Sequence, residues 1–179
     1  MVHLFVDMDG TLAEFRTDAS FKDLYEEGYF FNLRPHENVI EGLKIFKENN
    51  PDVVISVLSC VLEDRPKAAE EKVEWLKKYC PFLMNSMYFV PCGTDKSVFT
   101  GKRGENFLLD DHSPNLLKFE NGGNNHGIKL LNGINGQGIK WHGKTIQSDL
   151  DAKRFAKELE TIINGTVSFA KTLENFIRH

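Results

Sequence analysis

The sequence predicts an α/β fold: a doubly wound, mostly parallel sheet with a small helical cap inserted after the first strand. Three observations lead there. Short apolar, β-branched runs recur without polar alternation, as strands buried on both faces do. Stretches with apolar residues at helical spacing separate these runs, the alternation that builds βαβ units. The one long break in this rhythm falls directly after the first run.

The first run is "VHLFVD", residues 2–7. From Glu14 to about Arg34 the pattern gives way to mixed charge and aromatics, "EFRTDASFKDLYEEGYFFNLRP". That is too long for a plain turn and reads as a helical insertion over the strand end. "ENVIEGLKIFKENNP" follows, with Val39 or Ile40, Leu43 and Phe46 on one face and Pro51 closing the helix. The insertion is therefore bounded at 14–51, and the core at 1–13 and 52–179. "DVVISVLS" is the second strand. In the next helix Pro66 stands near the start, where its missing N–H costs least, and Ala69, Val73, Leu76 and Cys80 form the expected stripe. "SMYFVP", "ENFLLDD" and "HGIKLLNG" are strands three to five. "DLDAKRFAKELETIIN" is a helix with Ala152, Phe155, Leu159 and Ile162 inward, and "VSFAKTLENFIR" is expected as a separate last helix docked on the core.

Composition narrows the function classes. The formal net charge is −4 and no basic run exists, which argues against a binder of nucleic-acid polymers. Apolar runs are strand-length, so no membrane span is expected, and "MVHLFVD" lacks a signal-peptide layout. Three unevenly spaced cysteines, Cys60, Cys80 and Cys92, suit a reduced, cytoplasmic chain.

In parallel α/β sheets, ligands sit outside the carboxyl ends of the strands. There the sequence places Asp7 and Asp9 after strand one, Ser59 after strand two, Lys96 in the loop after strand three, and Asp110 and Asp111 after strand four. Crowding like charges this way is costly unless a hard divalent cation and a phosphate share the charge. Carboxylates and water suit Mg²⁺, which often binds beside a phosphate. A carboxylate can also act as a nucleophile that splits one hard step into two. A second carboxylate two residues on, on the same face of an extended strand, can serve as acid and then base. Gly10 lets the chain turn sharply and approach a ligand, and a lysine supplies a point charge for phosphoryl oxygens.

"DMDGT", then Ser59, Lys96 and "DD" resemble, in order and placement, the four-motif signature of the haloacid dehalogenase-like phosphatases. Within that superfamily "DMDGTLAEF", "GYFFNLRP", "KVEWLKKY" and "TDKSV" before "LLDD" are similar to the 5′-deoxyribonucleotidase group. The similarity spans roughly the first two thirds of the chain. It implies that Asp7 is the nucleophile and a Mg²⁺ ligand. Asp9 would be the general acid and base, with its backbone carbonyl on the metal. Ser59 and Lys96 would hold the transferring phosphoryl group, Lys72 would match a phosphate-site lysine, and Asp110 and Asp111 would complete the metal site. Phe15, Phe30 and Phe31 fall where the group builds its base pocket. The implied partner is a small phosphate ester, a (deoxy)nucleoside 5′-monophosphate first of all. There are departures: Cys60 stands where a second small hydroxyl is common, Glu63 where a basic residue is common, and His112 follows the acid pair.

Rival readings weigh less. The same chemistry could serve a sugar phosphate or another small ester. A receiver-like domain also gathers acids and a lysine around Mg²⁺, but its accepting aspartate follows a middle strand and it lacks an insertion after the first. Asp7 and Asp9 could be strand-end carboxylates capping a loop, Ser56 competes with Ser59, Lys96 could be a solvated loop lysine, Lys72 could be a surface lysine, and the phenylalanines could be plain packing. Cys60 stands too close to Arg65 for a cysteine-phosphatase loop, the histidines are scattered unlike a zinc site, and "NGT" at Asn164 is a chance sequon.

Overall fold

The computed structural model of the chain describes residues 1–101, 103–135 and 140–177; Arg178, the end of the expected tail helix, lies outside them. Among the described residues the strands are β1 (Val2–Val6), β2 (Val53–Val61), β3 (Met87–Pro91), β4 (Glu105–Asp110), β5 (Asn125–Leu131) and β6 (Lys144–Gln147). All five pairings are parallel, in the order β3-β2-β1-β4-β5-β6. That is the doubly wound order with its switch point between β1 and β4, where two outward-running crossovers part and leave a crevice. The α/β fold read from the sequence is the fold observed.

Among the described residues four α-helices cover the sheet: α1 (Glu37–Asn49), α2 (Lys67–Tyr79), α3 (Ser113–Phe119) and α4 (Ala152–Ile177). Strand residues alternate between two apolar layers. Leu4, Val6, Ile55, Val57, Phe107, Leu109, Ile128 and Leu130 pack with α1, α2 and α4, whereas Phe5, Leu58 and Leu108 pack with Leu116 and Phe119 of α3. Burial on both faces explains why these strands lack polar alternation. α1 buries Val39, Ile40, Leu43 and Phe46, the face its periodicity marked, and lies directly against α4. Gly42 permits that approach, since a Cβ there would sit 2.6 Å from Phe155. Between β1 and α1 the chain is irregular apart from a 3₁₀ turn at Asp23–Tyr25.

Three local expectations are corrected. First, the sheet has a sixth strand: β6 is a short edge strand with only Ile146 buried, so it offers no apolar run to recognise. Second, the two expected C-terminal helices are one. α4 passes through Gly165 without a break, because Ile163 and Val167 continue the stripe on the core and the glycine costs only about 1 kcal/mol. Third, the buried stripe of α2 is Ala68, Lys72, Trp75 and Leu76, one position away from Ala69 and Val73, because a lysine occupies its centre. No described helix is long and apolar enough to cross a membrane.

Candidate active site

β1 ends at Val6, and Asp7 stays pinned to the sheet by its N–H to Leu109 O at 2.9 Å. The chain then folds back in one tight turn. The N–H groups of Thr11, Leu12 and Ala13 converge on Met8 O, and Gly10 N–H donates to Ala13 O. Gly10 has φ +79°, and the place of its missing Cβ is taken by the Asp111 carboxylate. Only glycine serves on both counts. The turn holds Asp7 and Asp9 at the switch point, against the acid pair that ends β4.

Two buried lysines reach these acids from opposite faces of the sheet. Lys96, on the 3₁₀ turn Lys96–Phe99, places Nζ 2.6 Å from Asp7 Oδ1 and 2.7 Å from Asp110 Oδ2. Lys72 comes from α2, and its Nζ donates to Asp9 Oδ2, to Ser59 Oγ at 3.0 Å and to Cys60 O at 2.6 Å. Both lysines are essentially without solvent contact. Asp110 is further held by the His112 N–H at 2.8 Å and Asn115 Nδ2 at 3.0 Å. Asp111 receives Asn132 Nδ2 at 3.1 Å, and the same amide group reaches Gly10 O.

Electrostatics follow from this crowding. Burial, then the Asp110 and Asp9 charges, push Asp7 up to about 7 although Lys96 opposes them. Burial with the Asp110 and Asp7 charges lifts Asp111 to about 8. Burial pulls the Lys96 ammonium down, yet Asp110 and Asp7 outweigh it and hold its pKa above the ordinary value. Carboxylate oxygens of Asp7, Asp110 and Asp111 lie within 4.8 Å of one another, and Asp9 Oδ1 is buried without a hydrogen-bond partner among the described residues. Three converging carboxylates that share one ammonium between them fit a hard divalent cation. Asp110 already accepts from three protein donors, which leaves Asp7 and Asp111 the better placed to touch an ion.

Two adjoining cavities open over these groups. One of about 130 Å³ is lined by Phe15, Tyr29, Phe30, Leu33, Leu62 and Asp9, among others. The other, about 760 Å³, holds Asp7, Asp9 and Asp111 and extends toward Asn115, Lys118 and Lys129. Phe15 lines both and is half exposed. Phe30 is buried, its ring 4.7 Å from Lys72 Nζ and 5.2 Å from the Arg65 guanidinium. Phe31 turns away toward Lys78, whose Nζ is 5.6 Å from its ring. The stretch bearing these rings is tied to α2: Glu71 accepts from the N–H groups of Gly28 and Phe30 and pairs with Arg65 at 2.6 Å, while Trp75 Nε1 donates to Leu33 O.

The structure thus brings Asp7, Asp9, Ser59, Lys72, Lys96, Asp110 and Asp111 to one place, with Phe15 and Phe30 above them and Phe31 outside. Ser56, the competing hydroxyl, instead bonds His3 and Ser86. Cys60 and Cys92 line both cavities, but burial raises both thiols, the opposite of an activated nucleophile. Asn115, Asn132, Lys129 and the Arg65–Glu71 pair were not singled out in the sequence. One sign existed for Lys129: a charge flanked by Ile128 and Leu130 inside a buried strand.

No family model matches the chain. Two curated proteins of Staphylococcus epidermidis, from two strains and both named "Putative 5'(3')-deoxyribonucleotidase", are similar to it, each 32% identical over 97 residues. The match covers 54% of this chain and 49% of each relative. The chain therefore spans about half the length of the curated relatives it matches.

Proposed function

We propose that this chain is a Mg²⁺-dependent phosphomonoesterase of the haloacid dehalogenase type, acting on a (deoxy)nucleoside 5′-monophosphate through an aspartyl-phosphate. The observation that carries this reading is Asp7 at the switch point, one oxygen held by Lys96 and Asp9 two residues on. The similarity to the two staphylococcal proteins, named for that activity, supports it.

Asp7, Asp111 and the backbone carbonyl of Asp9 would hold Mg²⁺, with Asp110 behind them. When bound, the ion supplies positive charge that screens the carboxylates from the phosphate and polarises it. Lys96 fixes Asp7 Oδ1, so Oδ2, which takes no hydrogen bond from the described residues, attacks phosphorus as the ester P–O bond breaks. Asp9 acts as the general acid and gives a proton to the leaving alkoxide. In the second step Asp9 takes a proton from water, the water oxygen attacks phosphorus, and the P–O bond to Asp7 breaks to release phosphate. Lys72 holds Asp9 and Ser59 in register, and its charge with that of Lys96 faces the transferring group. The insertion covers the site mouth, where Phe15 offers a ring to the base. Free cysteines at 60, 80 and 92 are in keeping with a reduced, cytoplasmic setting.

The test is phosphate release from a panel of phosphomonoesters, with and without Mg²⁺. Deoxynucleoside 5′-monophosphates should lead the panel, only with the metal. A protein inert toward every ester, or equally active in excess chelator, would refute the reading.

A further inference from the structure

Lys129 stands on β5 at the register position of Asp110, on the α3 face of the sheet. Its ammonium is buried, donating to Ser113 Oγ at 2.8 Å and to Asn135 O at 3.0 Å. No carboxylate among the described residues lies within ion-pairing distance of it. Both partners are neutral, so among the described residues the charge has no counter-ion in contact with it. Burying a cation that way is unfavourable unless something negative comes to it. Lys129 nevertheless lines the 760 Å³ cavity that contains Asp7, Asp9 and Asp111, and Lys118, His112 and Asn115 line the same side. Lys118 is exposed at the rim, and its side chain makes one hydrogen bond among the described residues, to Gly93 O at 3.5 Å. The cavity thus has an acidic centre, an aromatic wall at Phe15 and a cationic end, where two amines face one space.

The scissile phosphate does not account for that end. It would lie at Asp7, just past β1, where Lys96 already meets the carboxylate, and the β5 backbone is two strands away, roughly 10 Å at the usual spacing. One phosphoryl group held at Asp7 leaves the Lys129 and Lys118 end of the cavity unfilled; a sugar with phosphates at two positions can reach both ends. We propose that Lys129 and Lys118 form a second anion subsite, and that the preferred substrate is a nucleotide bearing a second phosphate, such as a deoxynucleoside 3′,5′-bisphosphate. This rests on the phosphomonoesterase reading for the position of the scissile group. Lysine suits the role as a point charge that meets phosphate oxygens from any direction.

Binding separates this subsite from turnover. In the Asp7→Asn protein, calorimetry with a deoxynucleoside 3′,5′-bisphosphate and with the matching 5′-monophosphate should show the bisphosphate about tenfold tighter or more. Lys129→Gln keeps a donor for Ser113 and should collapse that ratio toward one. Lys118→Gln, on the surface and harmless to folding, should narrow it in the same direction and decides the matter if the Lys129 variant does not fold. Equal affinities in the parent, or loss of both ligands in parallel in the variants, would overturn the subsite. A bisphosphate preference in a wild-type protein that hydrolyses neither ester would leave the subsite standing and remove the phosphomonoesterase.

Discussion

Lys96 Nζ lies 2.6 Å from Asp7 Oδ1, joining residues 89 positions apart, and the same ammonium holds Asp110 at 2.7 Å. One cation thus ties the ends of the two strands that flank the switch point. It also sets the Asp7 carboxylate in place before any ligand arrives, the preorganisation that the proposed attack on phosphorus would use.

Replacing that cation tests its structural share. Lys96→Met leaves Asp7 and Asp110 buried side by side without counter-charge, a change that costs on the order of 3–5 kcal/mol when one partner of a buried pair is removed. Urea unfolding in chelator should show that loss, and Mg²⁺ should restore part of it. A change below about 1 kcal/mol, the scale of an exposed pair, would show that the three groups are not coupled.

Asp7→Asn removes the proposed nucleophile together with a crowded charge. Turnover should vanish. Metal-free thermal stability should stay equal or rise, because Asp7 sits where its charged form is disfavoured. Retained activity in a cleanly purified variant would sink the aspartyl-phosphate mechanism.

The same crowding sets a pH dependence. Asp7 is raised to about 7 and Asp111 to about 8 from an ordinary 3.8, so in this range the folded chain holds more protons than the unfolded one. Their contribution is fully present below about pH 4 and is lost as pH rises through 7 and 8. The charges facing them are Lys96, Asp110, Asp9 and each other. Metal-stripped protein should therefore melt at a lower temperature at pH 8.5 than at pH 6, and Mg²⁺ should stabilise it more at the higher pH. A melting temperature that climbs with pH would contradict the sign.

What the sequence disclosed, and what it hid, follow one physical division. Asp7, Asp9, Ser59, Asp110 and Asp111 were legible because each ends an apolar run, and parallel sheets gather such ends at one edge. Lys72 was harder to place, since a lysine at helical spacing normally faces water; here it fills the middle of the buried stripe of α2 and shifts that stripe by a position. Asn132 precedes a glycine and has the look of turn chemistry, yet its amide joins Gly10 O to Asp111, a contact across 122 and 21 positions that no local pattern encodes. The last helix was expected as two, parted after Asn164, but Gly165 lies on an open helix face and is tolerated where the buried residues around it keep their spacing.

Asp9→Asn isolates proton transfer. The amide keeps a hydrogen-bonding partner for Lys72 but cannot exchange protons with a leaving group. The rate on a nucleotide should fall at least about 10²-fold, the lower end for a positioned acid or base. With p-nitrophenyl phosphate, whose leaving group needs no proton, the first step should suffer far less. An equal loss for both esters would refute the acid role.

The three phenylalanines make the last distinction. Phe30 is 6% exposed and packed between Arg65 and Lys72, whereas Phe15 is 52% exposed on the wall shared by both cavities. Truncating Phe30 therefore costs folding stability, about 3–5 kcal/mol for a buried ring, and cannot report cleanly on substrate. Phe31, turned toward Lys78, should be near neutral in either assay. Phe15→Ala is the informative change. A base stacked on a protein ring gains roughly 1–3 kcal/mol, which corresponds to about a 5- to 150-fold rise in KM once the ring is gone. Phosphate release from a deoxynucleotide should show that rise while p-nitrophenyl phosphate, held mainly by its phosphoryl group, changes little. If both substrates lose equally, Phe15 shapes the loop rather than the base pocket, and the preference for a nucleotide must be sought elsewhere on the cavity wall.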